Sequence, residues 1–376
     1  MKFTVSKTLG GSLARTGELE TPHGKIQTPV FMPVGTYGAV RGLMPWELEE
    51  LGSEIILGNT YHLHLRPGED LIAKHGGLQK WSAWNKPILT DSGGYQAYSL
   101  GQSRLKTALT DKNGVTFASH IDGRKLQFTP ENVLDIQSKL GSDIAMVLDD
   151  CPPIESSKDR VAEAVERTTS WAKKSIDHWR QKSFGQEGSG LFGIIQGGLH
   201  QDLRERSAQE IQTLPFDGIA VGGVAIESEG KDLMNKAVDF VAPTLDKARP
   251  HYLMGVGEPV DLIRMIHRGM DMFDCVIPTR YARHGSFWLT KDFSRKSIDA
   301  AQYTDDYQPL DPDCTCQICR TFSRSYLRHL YLANEINAAR SLSYHNLFVL
   351  HELVRQIRSA IADGSFLKKY AAYLND

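Results

Sequence analysis

The sequence predicts an α/β fold and, within that class, a (β/α)8 TIM barrel interrupted by two insertions. Eight short apolar runs recur along the 376 residues, and most of them are followed by a helical pattern. Continuous apolar character is typical of strands that are buried on both faces of a parallel sheet. No Gly-x-Gly-x-x-Gly segment opens a helix, which removes the main argument for an open dinucleotide-binding sheet. Eight strand–helix units therefore favour closure into a barrel.

The apolar runs define the eight predicted barrel strands. They lie at 30–32, 55–57, 88–89, 144–148, 192–195, 219–221, 252–254 and 272–273. Apolar residues at three- and four-residue spacing predict helices between them. These helices are expected at 45–51, 130–140, 160–179, 203–214 and 259–268.

Two stretches depart from the repeat. Residues 114–128 alternate in polarity around Asp122-Gly123, which predicts a β-hairpin inserted after the third strand. Residues 280–344 follow the eighth strand and contain three of the five cysteines. We therefore divide the chain into a catalytic barrel core at 1–279, a metal-binding insertion at 280–345 and a C-terminal helix at 346–376 that completes the barrel.

The cysteines of the second insertion predict a structural zinc site. Cys314, Cys316 and Cys319 have Cys-x-Cys-x-x-Cys spacing, which brings three thiolates within the roughly 2.3 Å reach of one Zn²⁺. A histidine can complete the tetrahedron, and spacing alone allows either His329 or His345. A disulfide framework would need an even, spread set of cysteines. A reduced thiol cluster without metal is the alternative.

Composition bounds the class of protein. The apolar fraction of 41% and the aromatic fraction of 9% are normal for a globular protein. No apolar stretch reaches the roughly 18 residues of a membrane span and no signal core opens the chain, so we expect a cytoplasmic protein without membrane contact. The net charge of −2 neither predicts nor excludes nucleic acid. A basic C-terminal face does allow it. That face consists of Arg320, Arg324, Arg328, Arg340, Arg355, Arg358, Lys368 and Lys369.

Three of the predicted strands end in aspartate, where barrel enzymes place their active sites. These residues are Asp91, the pair Asp149-Asp150, and Asp274. Paired carboxylates can act as nucleophile and as general acid/base at a sugar anomeric carbon, with retention when they are about 5 Å apart. Each aspartate could instead cap the helix that follows it. The sequence therefore predicts a carboxylate-lined mouth.

Four segments identify a family. They are Gly58-Asn59-Thr60-Tyr61-His62-Leu63, Thr90-Asp91-Ser92-Gly93-Gly94-Tyr95-Gln96, Phe273-Asp274-Cys275-Val276-Ile277-Pro278-Thr279-Arg280 and the cysteine cluster. Together they closely resemble bacterial tRNA-guanine transglycosylase, in family order and over nearly the whole chain. The resemblance implies a (β/α)8 barrel with a zinc subdomain after the last strand. It also implies exchange of guanine at the wobble position of tRNAs with a GUN anticodon for a 7-deazaguanine base, on the route to queuosine.

The resemblance assigns the catalytic carboxylates and the fourth zinc ligand. Asp274 matches the nucleophile that attacks the ribose anomeric carbon and holds the tRNA covalently while guanine leaves. Asp91 matches the general acid/base that handles the proton of the departing and arriving bases. His345, rather than His329, occupies the family's ligand position.

The resemblance also assigns a base pocket. Its hydrogen-bonding part comprises Ser92, Gly93, Gly94, Asp149, Gln196, Gly222, Gly223 and Val224. Tyr95 and Met254 match the side chains that sandwich the purine, a role that an aromatic face and a thioether suit, although ordinary packing is the alternative for both.

Two further positions bear on which base is accepted. Val40 and Cys151 match the valine–cysteine pair of the enzymes that take 7-aminomethyl-7-deazaguanine, which favours that small base over queuine. The loop after Gly223 has about one residue more than the family pattern, so either Glu227 or Glu229 would support the base contact. A queuine-salvaging enzyme and a non-catalytic tRNA-binding paralogue are the alternatives.

Two segments and one patch are expected to bind macromolecules. The segments match those that lie along the anticodon loop and read the bases beside the wobble nucleotide, and the basic face would hold phosphates. The first segment comprises Gly255, Val256, Gly257, Glu258, Pro259, Val260 and Asp261. The second segment comprises Thr279, Arg280, Tyr281, Ala282 and Arg283. Phe322, Tyr326 and His329 match a homodimer patch with Leu63 opposite; their alternative is the core of the subdomain.

Overall fold

A closed barrel of eight parallel strands forms the centre of the protein in a computed structural model, which describes residues 1–100, 109–182, 187–224 and 231–374. The strands of this part of the chain are β1 (Lys2–Thr8), β2 (Arg15–Thr21), β3 (Gly24–Thr28), β4 (Val30–Gly35), β5 (Ile56–Gly58), β6 (Ile88–Thr90), β7 (Leu109–Asp111), β8 (Gly114–Ala118), β9 (Lys125–Phe128), β10 (Ile144–Met146), β11 (Gly190–Ile195), β12 (Gly218–Val221), β13 (His251–Leu253), β14 (Met272–Cys275), β15 (Ser286–Trp288) and β16 (Arg295–Ser297). Strands β4, β5, β6 and β10 to β14 follow one another around the barrel, and β14 pairs with β4 to close it.

The helices of the described residues lie around this barrel and in the second insertion. They are α1 (Pro45–Glu50), α2 (Thr60–Leu65), α3 (Glu69–Lys74), α4 (Leu78–Ser82), α5 (Gly94–Leu100), α6 (Pro130–Leu140), α7 (Lys158–Lys182), α8 (Gln201–Gln212), α9 (Lys231–Asp239), α10 (Pro259–His267), α11 (Ile277–Arg283), α12 (Gln317–Thr321), α13 (Arg324–Leu332), α14 (Ile336–Ala362), α15 (Phe366–Lys369) and α16 (Ala371–Leu374), with 3-10 turns at Ala242–Thr244 and Ala301–Tyr303. Among the described residues, no helix combines the length and apolar character needed to cross a membrane.

The predicted barrel is confirmed, because all eight apolar runs form barrel strands and all five predicted helices are present. The two ends of helix α6 are determined by the residues at those positions. It begins with Pro130 after Thr129, whose side chain accepts a hydrogen bond from the Asn132 amide, and it ends at Gly141 with φ of +79°. Proline at the first position, an oxygen-bearing cap and a left-handed glycine are the standard start and stop signals of a helix.

Two small sheets lie outside the barrel. The predicted hairpin at 114–128 is confirmed as β8 and β9, and β7 adds a third antiparallel strand to it. The sheet of β1, β2 and β3 before the barrel was not predicted. Strand β1 is mostly exposed and polar, so it lacks the continuous apolar run that marks the barrel strands.

The long helix α14 joins the second insertion to the barrel. It carries His345 in its first half, and further along it the Arg358 guanidinium donates to the Gln27 and Pro29 carbonyls, both at 3.0 Å, beside β4. The predicted boundary between 345 and 346 therefore falls within one continuous helix. The division into three parts stays a prediction.

The predicted basic face is less positive than its sequence indicates. Four of its arginines form ion pairs with carboxylates of the same chain. The pairs are Arg324–Asp306, Arg340–Glu47, Arg355–Glu352 and Arg358–Glu54.

Candidate functional site

Asp274 is held at the end of β14 by two hydrogen bonds to the same oxygen. Its Oδ1 accepts from the Tyr252 hydroxyl at 2.6 Å and from the Gly255 amide at 2.8 Å. Burial raises the pKa of Asp274, and these two donors oppose that rise because they stabilise the ionised form. Asp274 is therefore a carboxyl group of fixed orientation, whose pKa remains above its ordinary value because burial outweighs the two donors.

Asp91 directly follows β6 and is bound to the neighbouring strand end. It accepts hydrogen bonds from the Thr60 amide at 2.8 Å and from the Asn59 side chain, whose own oxygen caps α2. Burial raises the pKa of Asp91 to about 7, and the nearby charges of Asp274 and Asp149 act in the same direction. Asp91 therefore shares one electrostatic environment with Asp274, and its pKa lies near neutral pH.

Asp149 joins three strand ends through hydrogen bonds. It accepts from the Gln196 amide group at 2.7 Å and from the Ser92 hydroxyl at 3.3 Å. Burial raises the pKa of Asp149 to about 6. The adjacent Asp150 instead accepts from Arg160 and Arg167 on α7, which makes it a structural ion-pair partner outside the mouth.

Glycines allow the backbone to approach these groups closely. Gly93 has φ of +72°, and a Cβ there would lie 2.8 Å from the Tyr61 amide nitrogen. Gly223 has φ of +65°, and a Cβ there would lie 2.7 Å from Oε1 of Gln196 and 3.7 Å from Sγ of Cys151. The structure thus brings the backbone of Gly223 against two of the predicted base-pocket side chains.

The remaining pocket residues differ in exposure. The Tyr95 side chain is 56% exposed and Met254 is half-buried after β13, so both present surface, whereas Val40 and Val224 are buried. Gly94 donates its amide to the Ser92 hydroxyl at 3.2 Å. The choice between Glu227 and Glu229 lies outside the described residues.

The two predicted RNA-binding segments contact each other at the mouth. The Tyr281 hydroxyl donates to the Glu258 carboxylate at 2.7 Å. Burial, together with the positive charges of Arg41 and Arg280, lowers the pKa of Arg283, so this part of the mouth carries positive charge. The side chains of Val256, Pro259, Asp261, Thr279 and Ala282 are buried and support the segments from within.

Three residues of the site were not found from the sequence. Tyr252 lies inside an apolar strand run, where a tyrosine is expected to pack. Arg41 lies in the loop after β4 with no motif around it. Arg204, in α8, donates to four main-chain carbonyls and is fully buried, although an arginine in a polar helix is usually exposed.

The predicted metal ligands form one buried cluster. Nδ1 of His345 lies 3.6 Å from Sγ of Cys314, 3.6 Å from Sγ of Cys316 and 3.4 Å from Sγ of Cys319. The other ring nitrogen of His345 lies 2.7 Å from the Trp288 carbonyl, which orients the ring toward the thiols. All four ligand atoms lie within 4.8 Å of one another, so this cluster can hold a metal ion. His329 is exposed and outside it.

The predicted dimer patch needs one correction. Tyr326 is 44% exposed and lies 5.3 Å from the ring of half-buried Phe322, and His329 is exposed on the same helix. Leu63 is 0% exposed, because α2 turns it inward against the end of β5. Its predicted place at a surface is therefore wrong.

A parallel barrel whose strand ends present two carboxylates beside a cradle of amides and glycines is the architecture of a barrel enzyme. Residues 10–376 match the family described as Queuine tRNA-ribosyltransferase. The chain is 47% identical to the Queuine tRNA-ribosyltransferase of Natranaerobius thermophilus, with 98% of this chain and 96% of the relative covered. It is 50% identical to that of Nitratidesulfovibrio vulgaris, with 97% and 94% covered. The chain therefore belongs to the queuine tRNA-ribosyltransferase family, and it is a transferase.

The cysteine–histidine cluster predicts one bound metal ion per chain. Replacing Cys316 with serine removes one of the ligands, and we expect the metal content to fall from about one equivalent toward zero and the melting temperature to fall by at least roughly 5 °C. Elemental analysis and calorimetry measure both. Cys151→Ser, a free thiol outside the cluster, is the matched control and should keep its metal. Equal metal content in the two variants would contradict the assignment.

Proposed function

We propose that this protein exchanges guanine at the wobble position of tRNAs with a GUN anticodon for 7-aminomethyl-7-deazaguanine, through a covalent bond between Asp274 and the ribose. This is a step of queuosine biosynthesis. The observation that carries the proposal is the meeting of two buried carboxyls at the strand ends: Asp274, whose Oδ1 accepts from the Tyr252 hydroxyl and the Gly255 amide, and Asp91, whose pKa is raised to about 7. A nucleophile and a general acid need opposite protonation states, and we assign the ionised role to Asp274, whose two donors favour the charged form, and the proton-donating role to Asp91.

The chemistry follows from these two environments. Within the described residues both hydrogen bonds to Asp274 go to Oδ1, so we assign the attack on ribose C1′ to Oδ2. The C1′–N9 bond breaks as the ester bond forms, and Asp91 gives its proton to the departing guanine. The incoming base then loses its N9 proton to Asp91 and attacks C1′, which releases the Asp274 carboxylate.

Recognition of the base is assigned to the cradle beside the carboxyls. Gln196, Asp149 and the backbone at Gly223 supply donors and acceptors for the edges of a purine, while Tyr95 and Met254 cover its faces. A Cβ at Gly223 would lie 2.7 Å from Oε1 of Gln196 and 3.7 Å from Sγ of Cys151, so little room remains on this side of the cradle, which supports the small aminomethyl base over queuine. An unpaired wobble nucleotide costs little to flip into such a pocket.

The metal in this proposal is one structural Zn²⁺ held by Cys314, Cys316, Cys319 and His345. A tetrahedral ion with bonds of about 2.3 Å to sulfur and about 2.0 Å to nitrogen has sulfur–nitrogen edges of about 3.5 Å. The observed separations of 3.4 to 3.6 Å fit those edges. Three thiolates and an imidazole would complete the coordination of such an ion, which would organise the insertion and leave no open position for the exchange chemistry.

The nucleophile assignment predicts the behaviour of Asp274→Asn. This variant should bind tRNA nearly normally yet form no protein–RNA adduct that survives denaturing electrophoresis, because an amide oxygen does not displace the base. Asp70→Asn, at an exposed site, is the control and should form the adduct. An adduct that persists in Asp274→Asn would place the nucleophile elsewhere.

The choice of base is tested with tRNA labelled at the wobble guanine. Release of the label by 7-aminomethyl-7-deazaguanine alone supports the proposal. Release by queuine would instead indicate a salvage enzyme. Release by neither, with tRNA still bound, would indicate a non-catalytic tRNA-binding protein.

The pKa of Asp91 predicts a pH dependence. Only protonated Asp91 can donate to guanine, so the single-turnover rate of guanine release should fall as pH rises through about 7. On the acidic side the rate should fall when Asp274 becomes protonated. Because the two carboxyls interact, the profile reports the pair rather than either residue. A rate that stays constant up to a pH of roughly 9 would exclude Asp91 as the acid.

We also propose a homodimer formed by the patch of Phe322, Tyr326 and His329, since an exposed tyrosine beside a half-buried phenylalanine suits a protein interface. Tyr326→Glu should convert the dimer to a monomer in sedimentation analysis. Tyr307→Glu, at an 81% exposed tyrosine of the same insertion outside the patch, should remain dimeric. Unchanged association in both variants would remove the patch from the interface.

A further inference from the structure

A buried cation lies directly behind the base cradle. The Arg204 side chain is 0% exposed, and within the described part of the chain its hydrogen bonds all go to main-chain carbonyls. Its Nε donates to Gly198 at 2.9 Å, Nη1 to Gly222 at 2.8 Å and to Ile195 at 3.2 Å, and Nη2 to Gly223 at 3.2 Å. An isolated buried charge is costly, so this arrangement needs a reason beyond packing.

The four acceptors come from two neighbouring strand ends. Ile195 ends β11 just before Gln196, and Gly222 and Gly223 follow β12. The Gly222 amide also donates to the Ile195 carbonyl at 3.0 Å, so the guanidinium continues the pairing of β11 and β12 past the last residues of both strands. Only a planar fork with donors on three nitrogens can reach carbonyls spread in this way.

The bonds to Arg204 fix the direction of two amides. The carbonyl and the N–H of a trans peptide point in opposite directions. Because the Gly222 and Gly223 carbonyls face the guanidinium, the amides of Gly223 and Val224 face away from it. Among the described residues, neither amide donates to a protein acceptor, although Val224 is fully buried. Buried donors of this kind are normally satisfied, which points to a ligand.

We infer that Arg204 is a positioning residue that holds the Gly223 and Val224 amides ready to bind the purine base. The inference rests on the proposed function, which places the base at this backbone. Arg204 does not contact the reacting atoms. It acts through the carbonyls, and its contribution is to keep the glycine pair from rotating when the pocket is empty.

The packing of α8 supports this role. A Cβ at Gly197, which has φ of +138°, would lie 2.6 Å from the Arg204 nitrogen, so the first turn of α8 lies directly on the turn after Gln196. The Arg204 amide donates to the His200 carbonyl at 2.9 Å within that turn. The helix therefore fixes the guanidinium and the Gln196 turn as one unit.

The test separates base binding from tRNA binding by steady-state guanine exchange. Arg204→Lys keeps the charge and removes the fork, and Arg204→Gln removes both. We expect both variants to raise the KM for guanine by about 10- to 100-fold while the KM for tRNA stays within about twofold. Arg206→Gln, an exposed residue of the same helix paired with Glu210, is the control and should change neither KM.

Several outcomes would overturn the inference. An unchanged guanine KM, or a lower kcat that only follows the folded fraction measured by circular dichroism, would reduce Arg204 to a structural role. A guanine KM fully restored by lysine would show that charge alone suffices. If neither variant folds, amide hydrogen exchange of the wild-type protein is measured with and without guanine. Absence of guanine-dependent protection at residues 219–224 would overturn the inference. Failure of the wild-type protein to exchange guanine would instead defeat the proposed function.

Discussion

The pairing of β14 with β4 is the constraint on which the rest of the structure depends. It closes the barrel and sets Asp274 opposite Met32 and Cys275 opposite Pro33 in the register. Because all eight strands run in the same direction, closure gathers the residues after β5, β6, β10, β11, β12 and β14 around one mouth. Asp274 is thereby brought to the same mouth as Asp91, although the two residues are far apart in the sequence.

Closure of the barrel brings three buried carboxyl groups to one mouth, and their burial changes their pKa values. Asp91, Asp149 and Asp274 all lose hydration, and burial alone would raise the pKa of each. Each carboxyl receives two hydrogen-bond donors from the chain, which oppose that rise. Asp91 also experiences the charges of the other two carboxyls, which raise its pKa further. Burial and mutual repulsion thus place the pKa of Asp91 at about 7, where a carboxyl can both give and take a proton.

The sequence predicted the parts of this protein that depend on burial pattern and on motifs. The barrel strands were found because both of their faces are buried, and Asp91 and Asp274 because they lie in segments with a family pattern. The β1–β3 sheet was missed because its first strand is mostly exposed. Leu63 was misplaced because its motif does not show which way α2 faces. The roles of Tyr252 and Arg204 depend on contacts between strand ends that are distant in the sequence, and a single sequence does not show such contacts.

The position of α14 has a consequence for synthesis of the protein on the ribosome. The carbonyls of Gln27 and Pro29 receive their hydrogen bonds from Arg358, and Ser53 contacts His351 at 2.8 Å. The outer cover of the first barrel strand thus comes from the last long helix. After the ribosome has synthesised β4, it must add more than three hundred further residues before α14 is available to cover that strand. During this interval its apolar residues, Val30, Phe31 and Met32, are the ones that chaperones would need to protect.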